Sequence, residues 1–279
     1  MKTVKTLPEL RVARSKLAEP VGLVPTMGYL HEGHLSLART ARQECASVIA
    51  TIFVNPTQFG PGEDLGSYPR DIPRDLELLE KEGVDLVWVP EKDDMYPPGF
   101  QTWVTVSELT QPLEGARRPG HFRGVTTVVA KLFNASRPQR AYFGQKDAQQ
   151  VAVIRRMARD LDFDLQIVVC PTVREPDGLA MSSRNTYLDK DQRRVAAVLY
   201  RALILTRDAY ENGERNPDVL RGLMSAELGK EPLARPQYVS CAHPDTLLEH
   251  FGEVEGGALL SMAVYFGKTR LIDNLLLEE

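Results

Sequence analysis

The chain has 279 residues, 43% hydrophobic and 26% charged, with a net charge of −4; this is the make-up of a soluble globular protein with room for one large domain or two ordinary ones. An acidic balance argues against a long polyanionic partner such as tRNA, which favours a basic face. The three cysteines, Cys45, Cys170 and Cys241, form no CxxC pair, which argues against a disulfide framework or a zinc knuckle and for a reducing compartment.

The first residues, MKTVKTLPELRVARSK, lack the apolar core of a secretion signal. The longest uncharged apolar stretch, 257–267, falls far short of the roughly 20 residues that span a bilayer. The expectation is a cytoplasmic protein with no membrane and no nucleic-acid partner.

Strand-like and helix-like segments alternate along the chain. VGLVPT (21–26) is a short buried strand ended by Pro25, and GHLSLARTARQEC (33–45) has near-helical apolar spacing. SVIATIFVN (47–55) is a β-branched run of the kind a buried parallel strand needs. IPRDLELLEKEG (72–83) is a helix with Pro at its start and Gly at its end, followed by the strand VDLVWVP (84–90). VTTVVAKLFNAS (125–136) reads as helix, RAYFG (140–144) as strand, DAQQVAVIRRMARDL (147–161) as helix and DLQIVVCPTV (164–173) as strand. Repeated β-α-β units predict a doubly wound, Rossmann-like parallel sheet of the α/β class, with helices on both faces. GxGxxG, the usual dinucleotide fingerprint, is absent.

The pattern changes near residue 175. DKDQRRVAAVLYRALILTRDAYENG (189–213) reads as one long helix and PDVLRGLMSAELGK (217–230) as a second. QYVSCA (237–242), GALLSMAVYFG (257–267) and TRLIDNL (269–275) follow at hairpin spacing, which predicts a small antiparallel sheet. The expected division is a Rossmann-like domain over 1–175 and a smaller C-terminal α+β domain over 176–279.

Two of only five histidines fall in VPTMGYLHEGH (24–34), where a strand end passes into a helix. Ligands of a doubly wound sheet bind beyond the carboxyl ends of its strands. A helix N-terminus offers unpaired N–H groups and a partial positive charge to phosphate. His31 and His34 lie about one turn apart and can hydrogen-bond phosphate oxygens. A zinc site is the weaker alternative, because H-x-x-H supplies two ligands and no third accompanies them. An ordinary strand–helix turn is as good a reading of the spacing alone.

Two further segments favour phosphate. YFGQKD (142–147) repeats the design, with Gly144 at a strand end and Lys146 and Asp147 opening a helix. MSSRN (181–185) puts two hydroxyls and an arginine in a loop that could close over a triphosphate. HEGH followed far downstream by MSSR resembles the paired HIGH and KMSKS signatures of the class I aminoacyl-tRNA-synthetase-like adenylyltransferases. Within that superfamily, VPTMGYLHEGH, IFVNPTQFGPGEDLGSYPRD, RPGHFRGV, YFGQKDAQQ and DGLAMSSRN, in this order, are similar to the pantoate–β-alanine ligase (pantothenate synthetase) family from about Gly22 to Asn274.

The resemblance implies an AMP-forming carbon–nitrogen ligase that joins (R)-pantoate to β-alanine through a pantoyl adenylate, in the route to coenzyme A. It implies ATP as substrate, magnesium with the ATP phosphates, and a homodimer; no acidic cluster in the sequence declares a dedicated protein metal site. Met27, Gly28, Tyr29, Leu30, His31, Glu32, Gly33 and His34 would be the first ATP segment. His34 would take the catalytic position, assisted by His31 and Lys146. Gly144, Gln145, Lys146 and Asp147 would be the second ATP segment; Val173, Met181, Ser182, Ser183 and Arg184 would be the third. Gln58 and Gln150 would bind pantoate, and Gln58 β-alanine as well, with Asn55 as a neighbour. Residues 56–71, rich in Gly and Pro, are expected to form a mobile flap. RRPGHFRG (117–124) either borders the pantoate and phosphate pockets or is a solvated basic loop. Three rivals remain: a tRNA synthetase fragment, which would need a basic anticodon-reading region; a plain nucleotidyltransferase; and a nucleotide sensor, which would not need His31, His34, Gln58 and Gln150 together.

Overall fold

The computed structural model describes residues Met1–Glu278, and its β-branched runs form the strands expected of them. The first compact unit comprises Met1–Gln145 and Gln150–Pro171. Its elements are β1 (Lys2–Val4), α1 (Leu7–Arg14), β2 (Val21–Thr26), α2 (Glu32–Glu44), β3 (Ser47–Ile52), α3 (Ile72–Lys81), β4 (Leu86–Trp88), α4 (Lys92–Met95), α5 (Leu113–Arg117), α6 (His121–Ser136), β5 (Arg140–Gly144), α7 (Ala148–Asp160, which begins in the other unit) and β6 (Gln166–Cys170).

Six parallel strands lie in the order β1-β4-β3-β2-β5-β6. Two apolar layers cover the sheet. Leu10 of α1, Val129 and Phe133 of α6 and Ile154 of α7 pack with Leu23 and Ile49 on one face. Leu37 and Ala41 of α2 and Leu79 of α3 pack with Val24 and Ala50 on the other. Each large side chain so buried contributes about 1.5–3 kcal/mol. The doubly wound α/β class expected from the alternation is therefore the one observed. Chain order reverses between β2 and β5, which are neighbours, so the topological switch point lies at their carboxyl ends.

Pro25 does not end the strand as expected; it pairs with Thr51 inside β2. Thr26 O accepts from Phe53 N on the β3 side, so Pro25 faces the β5 side, where pairing has already stopped at Leu23. Its missing N–H removes no ladder bond there. β1 and α1 carried no expectation, although Thr6 and Glu9 form a reciprocal capping box with Pro8 in the first turn.

The second unit comprises Lys146–Gln149 and the chain from Thr172 on. It holds α8 (Lys190–Ala196), α9 (Val198–Glu211), α10 (Pro217–Leu228), and the antiparallel sheet β7 (Ala234–Ala242), β8 (Ala258–Phe266) and β9 (Thr269–Leu277). Leu199 and Leu203 of α9 and Leu220 and Met224 of α10 pack on Leu260, Met262 and Val264 of the central strand. The single long helix expected over 189–213 is two. At Ala197 ψ is −13° and the N–H bonds to Val195 O, which tightens the turn and separates α8 from α9. No Gly or Pro marks that break, so periodicity alone could not place it.

Candidate active site

The turn after β2 is built from below. Thr26 Oγ1 donates to Thr51 O at 2.7 Å, and Gly28 N donates back to Thr26 Oγ1 at 3.2 Å. Gly28 has φ +82°, and a Cβ there would meet Asp75 Oδ2 and Ile52 Cγ2 at 3.0 Å, so glycine is required on both counts. Tyr29 also takes the left-handed region, at φ +52°. It is held there by Asp75 of α3, which accepts from Tyr29 N at 2.6 Å and Leu30 N at 2.8 Å. Asp75 is fully buried. Burial pushes its carboxyl up, opposed by those two N–H groups and by the Arg74 charge. Arg74 also donates to Leu30 O at 3.0 Å. Met27 and Gly28 line a cavity of about 440 Å³ with Phe53 and Pro56, at the carboxyl ends of β2 and β3.

α2 begins on the two histidines. His31 is the N-cap, and its Nδ1 accepts from Gly33 N at 3.2 Å; His34 Nδ1 accepts from His31 N at 3.3 Å. This is a capping box with imidazoles in place of hydroxyl and carboxylate. A backbone N–H can only donate, so each neutral ring carries its proton on Nε2. The rings lie 4.1 Å apart between centroids. The helix start therefore presents two Nε2–H donors from one turn, beside the positive end of the helix dipole. A two-ligand metal site would ask for the reverse arrangement, in which the ligating ring nitrogen carries no proton and the other donates.

Gln58 lies in a 3-10 turn, Pro56–Gln58, just after β3. Asn55 caps that turn and is buried. Its Nδ2 donates to Gln58 Oε1 and to Gly124 O, both at 3.1 Å. Its Oδ1 accepts from the Tyr96 hydroxyl at 2.9 Å and the Thr57 hydroxyl at 2.9 Å. Gln58 Nε2 reaches Met27 Sδ at 3.2 Å, so the turn after β3 touches the turn after β2. α6 approaches so closely that a Cβ on Gly124 would lie 2.5 Å from Thr57 O. Gln150 is half-buried in the first turn of α7.

RRPGHFRG is not a solvated loop from His121 on: that residue is buried and opens α6. His121 Nδ1–H donates to Gln58 O at 2.8 Å, and Arg118 donates to its Nε2 at 3.1 Å. Arg118 also grips both oxygens of Glu63 at 2.7 Å, which ties the 56–71 segment to α6. Burial, aided by the Arg118 charge, lowers the His121 pKa to about 4. An unfolded chain therefore binds a proton near pH 6.5 that the folded chain refuses until about 4. Stability present at neutral pH is lost as pH falls through that window, by on the order of 3 kcal/mol. Urea unfolding at pH 7 and pH 4.5 should show His121→Gln losing less than the parent chain; equal losses would sink this assignment.

In the second unit, Lys146 is 22% exposed and its Nζ lies 3.4 Å from Asp147 Oδ1; it is not a solvated lysine. Val173 O accepts from Met181 N at 3.0 Å, and Arg174 bridges Ala180. These bonds make 173–181 a hairpin-like loop. It leads into the 3-10 turn Ser183–Tyr187, capped by Ser182 Oγ accepting from Arg184 N at 3.3 Å. Among the described residues no cluster of three or more His, Cys, Asp or Glu is arranged to hold a metal.

Sequence reading missed Asp75, the His121–Arg118–Glu63 chain, and Tyr96 behind Asn55. For Asp75 the signal was present: Ile72, Asp75, Leu76 and Leu79 fall on one helical face, and an acid on an apolar face calls for a partner.

A family model described as pantoate-beta-alanine ligase matches residues 1–276. A pantothenate synthetase of Roseiflexus castenholzii is 61% identical over 278 residues, covering all of both chains. The crystal structure of pantothenate synthetase from Thermus thermophilus superposes with TM-score 0.94 at 51% identity, covering 99% of each chain. A pantoate-beta-alanine ligase of Francisella tularensis, solved in complex with beta-gamma ATP and β-alanine, has TM-score 0.81 and 34% identity over 99% of this chain and 97% of its own. A match this long and this close, on a fold and a histidine-capped turn of this kind, makes the chain a member of the pantoate–β-alanine ligase family.

Proposed function

We propose that the chain carries out its family's ligation by adenylation, with the residues described above in the following roles. The pantoate carboxylate attacks the α-phosphorus of ATP; the α–β phosphoanhydride bond breaks and pyrophosphate leaves. The β-alanine amine then attacks the acyl carbon of the pantoyl adenylate, loses a proton, and AMP leaves with the bonding pair. A carboxylate is a poor acyl donor until its oxygen belongs to a good leaving group, and an enclosed site keeps the adenylate from water.

The observation that carries this reading is the two-histidine cap. With both Nδ1 atoms engaged by backbone N–H groups, His31 and His34 act as Nε2–H donors to the phosphates, stabilising charge as it develops on pyrophosphate. Their role is hydrogen bonding and not proton transfer. Lys146 adds a mobile point charge. Ser182, Ser183 and Arg184 follow the triphosphate, Asp147 lies toward the ribose, and Gly28 and Gly144 give the turns room. Gln58 and Gln150 hold pantoate, and Gln58 β-alanine, because an amide both donates and accepts. The fixing of Gln58 by Asn55 and His121 supports that assignment. Met27, Phe53 and Val173 supply apolar contact.

The Francisella relative bound to beta-gamma ATP and β-alanine supports the same two ligands here. Magnesium would arrive as part of the substrate, Mg–ATP, with the phosphates and water as its ligands. No helix of the described residues is long and apolar enough to cross a membrane, and we place the enzyme in the cytoplasm as a homodimer. Product analysis tests the mechanism: one AMP and one pyrophosphate should form per pantothenate, whereas ADP and phosphate would overturn it.

A further inference from the structure

Strand β9 carries two polar residues that the site as described does not use. Asp273 sits between Ile272 and Asn274 with its side chain wholly excluded from solvent. It receives a two-pronged bond from Arg174, at 2.6 Å to Oδ2 and 3.0 Å to Oδ1. Arg174 also donates to Gly178 O at 3.1 Å and lies over the Tyr200 ring at 4.1 Å. It therefore anchors the 173–181 loop that leads into Ser182, Ser183 and Arg184. Its neighbour Asn274 is also buried, and its Nδ2 donates to Lys146 O at 2.7 Å across 128 residues of sequence. Asn274 N donates to Asp273 Oδ1 at 2.9 Å, which joins the two anchors.

Burial pushes the Asp273 carboxyl up, opposed by the Arg174 hydrogen bonds and, more weakly, by the Lys146 charge. An apolar pair could fill this space without the cost of desolvating two charges. The two-pronged geometry does fix where Arg174 lies relative to β9. Successive strand residues project to opposite faces, so one strand reaches two segments at once.

We propose that Asp273 and Asn274 are positioning residues for ATP: Asn274 sets the backbone of Lys146, and Asp273, through Arg174, sets the loop that carries residues 181–184. The pair is a rigid ruler between the two segments of this unit assigned to phosphate. It touches no substrate. The proposal rests on the reading of Lys146 and 181–184 as triphosphate-binding.

The test is the Michaelis constant for each of the three substrates in the full-length enzyme, with thermal unfolding as a fold control. Asn274→Ala should raise KM for ATP about 10-fold, the effect of one lost hydrogen bond. KM for pantoate and for β-alanine should stay within about twofold of the parent. Asp273→Asn should show the same selectivity, and serves if Asn274→Ala does not fold. In a Lys146→Ala background, Asn274→Ala should add less than about twofold, because residues acting through one another are non-additive. A KM for ATP unchanged in both variants, three constants rising together, or full additivity with Lys146→Ala would each overturn the positioning role. If Lys146→Ala alone leaves KM for ATP unchanged, the phosphate reading of Lys146 is what fails.

Discussion

Replacing His34 with alanine lowers pantoate-dependent pyrophosphate–ATP exchange by about 10²- to 10³-fold, the usual consequence of deleting one preorganised donor at a developing oxyanion. The chain should still fold. The side chain lost is half-buried, and its local work includes one cap bond, accepted by Nδ1 from His31 N. Loss of a cap costs about 1 kcal/mol, which is small beside the rate effect. The capping geometry also separates donor from acid. His34→Asn offers an amide oxygen to His31 N–H and an amide N–H to the phosphate, but it cannot transfer a proton. As a donor site it should recover part of the exchange that alanine loses. Exchange at the parent rate in His34→Ala would return the residue to an ordinary helix cap, and Asn no better than Ala would favour an acid.

Asp75→Ala should have the largest effect on stability. The carboxylate accepts two backbone N–H bonds, at 2.6 Å from half-buried Tyr29 and at 2.8 Å from Leu30, and the Leu30 donor, on a residue 1% exposed, would be orphaned away from water. Bonds to a charged acceptor are worth about 1.5–3 kcal/mol each, offset by relief of the carboxylate's own desolvation. A net loss of about 3 kcal/mol follows, seen as a fall in Tm of roughly 5–10 °C. Activity should fall too, because the same bonds hold Tyr29 at φ +52° and so fix where α2 and its histidines begin. Asp75→Asn keeps one acceptor oxygen and should fall between. An unchanged Tm in Asp75→Ala would mean the turn holds its shape without the carboxylate.

The large sheet was legible in the sequence because parallel strands covered on both faces must be continuous apolar runs, as Val48–Ile52 is. Of its helices, α2, α3, α6 and α7 were legible through their spacing, whereas the short α1, α4 and α5 were not. Pro25 misled because a missing N–H matters only on a paired side, and which side is paired depends on β5, more than a hundred residues on. The break at Ala197 left no mark because a ψ of −13° there needs no special residue. At the site, the segments proposed to face phosphate were readable because close backbone approach demands Gly and charge demands His, Lys or Arg. What orients them was not. Asp75 acts 45 and 46 residues from its partners, His121 acts 63 from Gln58, and Asn274 acts 128 from Lys146. Nothing local in sequence distinguishes such a residue from a solvated one, except a polar side chain on an apolar face. That clue is visible at Asp75 and again at Asp273, between Leu271 and Leu275.

The central claim is that a pantoyl adenylate forms before β-alanine acts. Exchange of labelled pyrophosphate into ATP by the parent enzyme tests it most directly. With Mg–ATP and pantoate and no β-alanine, label should enter ATP, and omission of pantoate should abolish the exchange. No exchange with pantoate present, or exchange that requires β-alanine, would contradict the account.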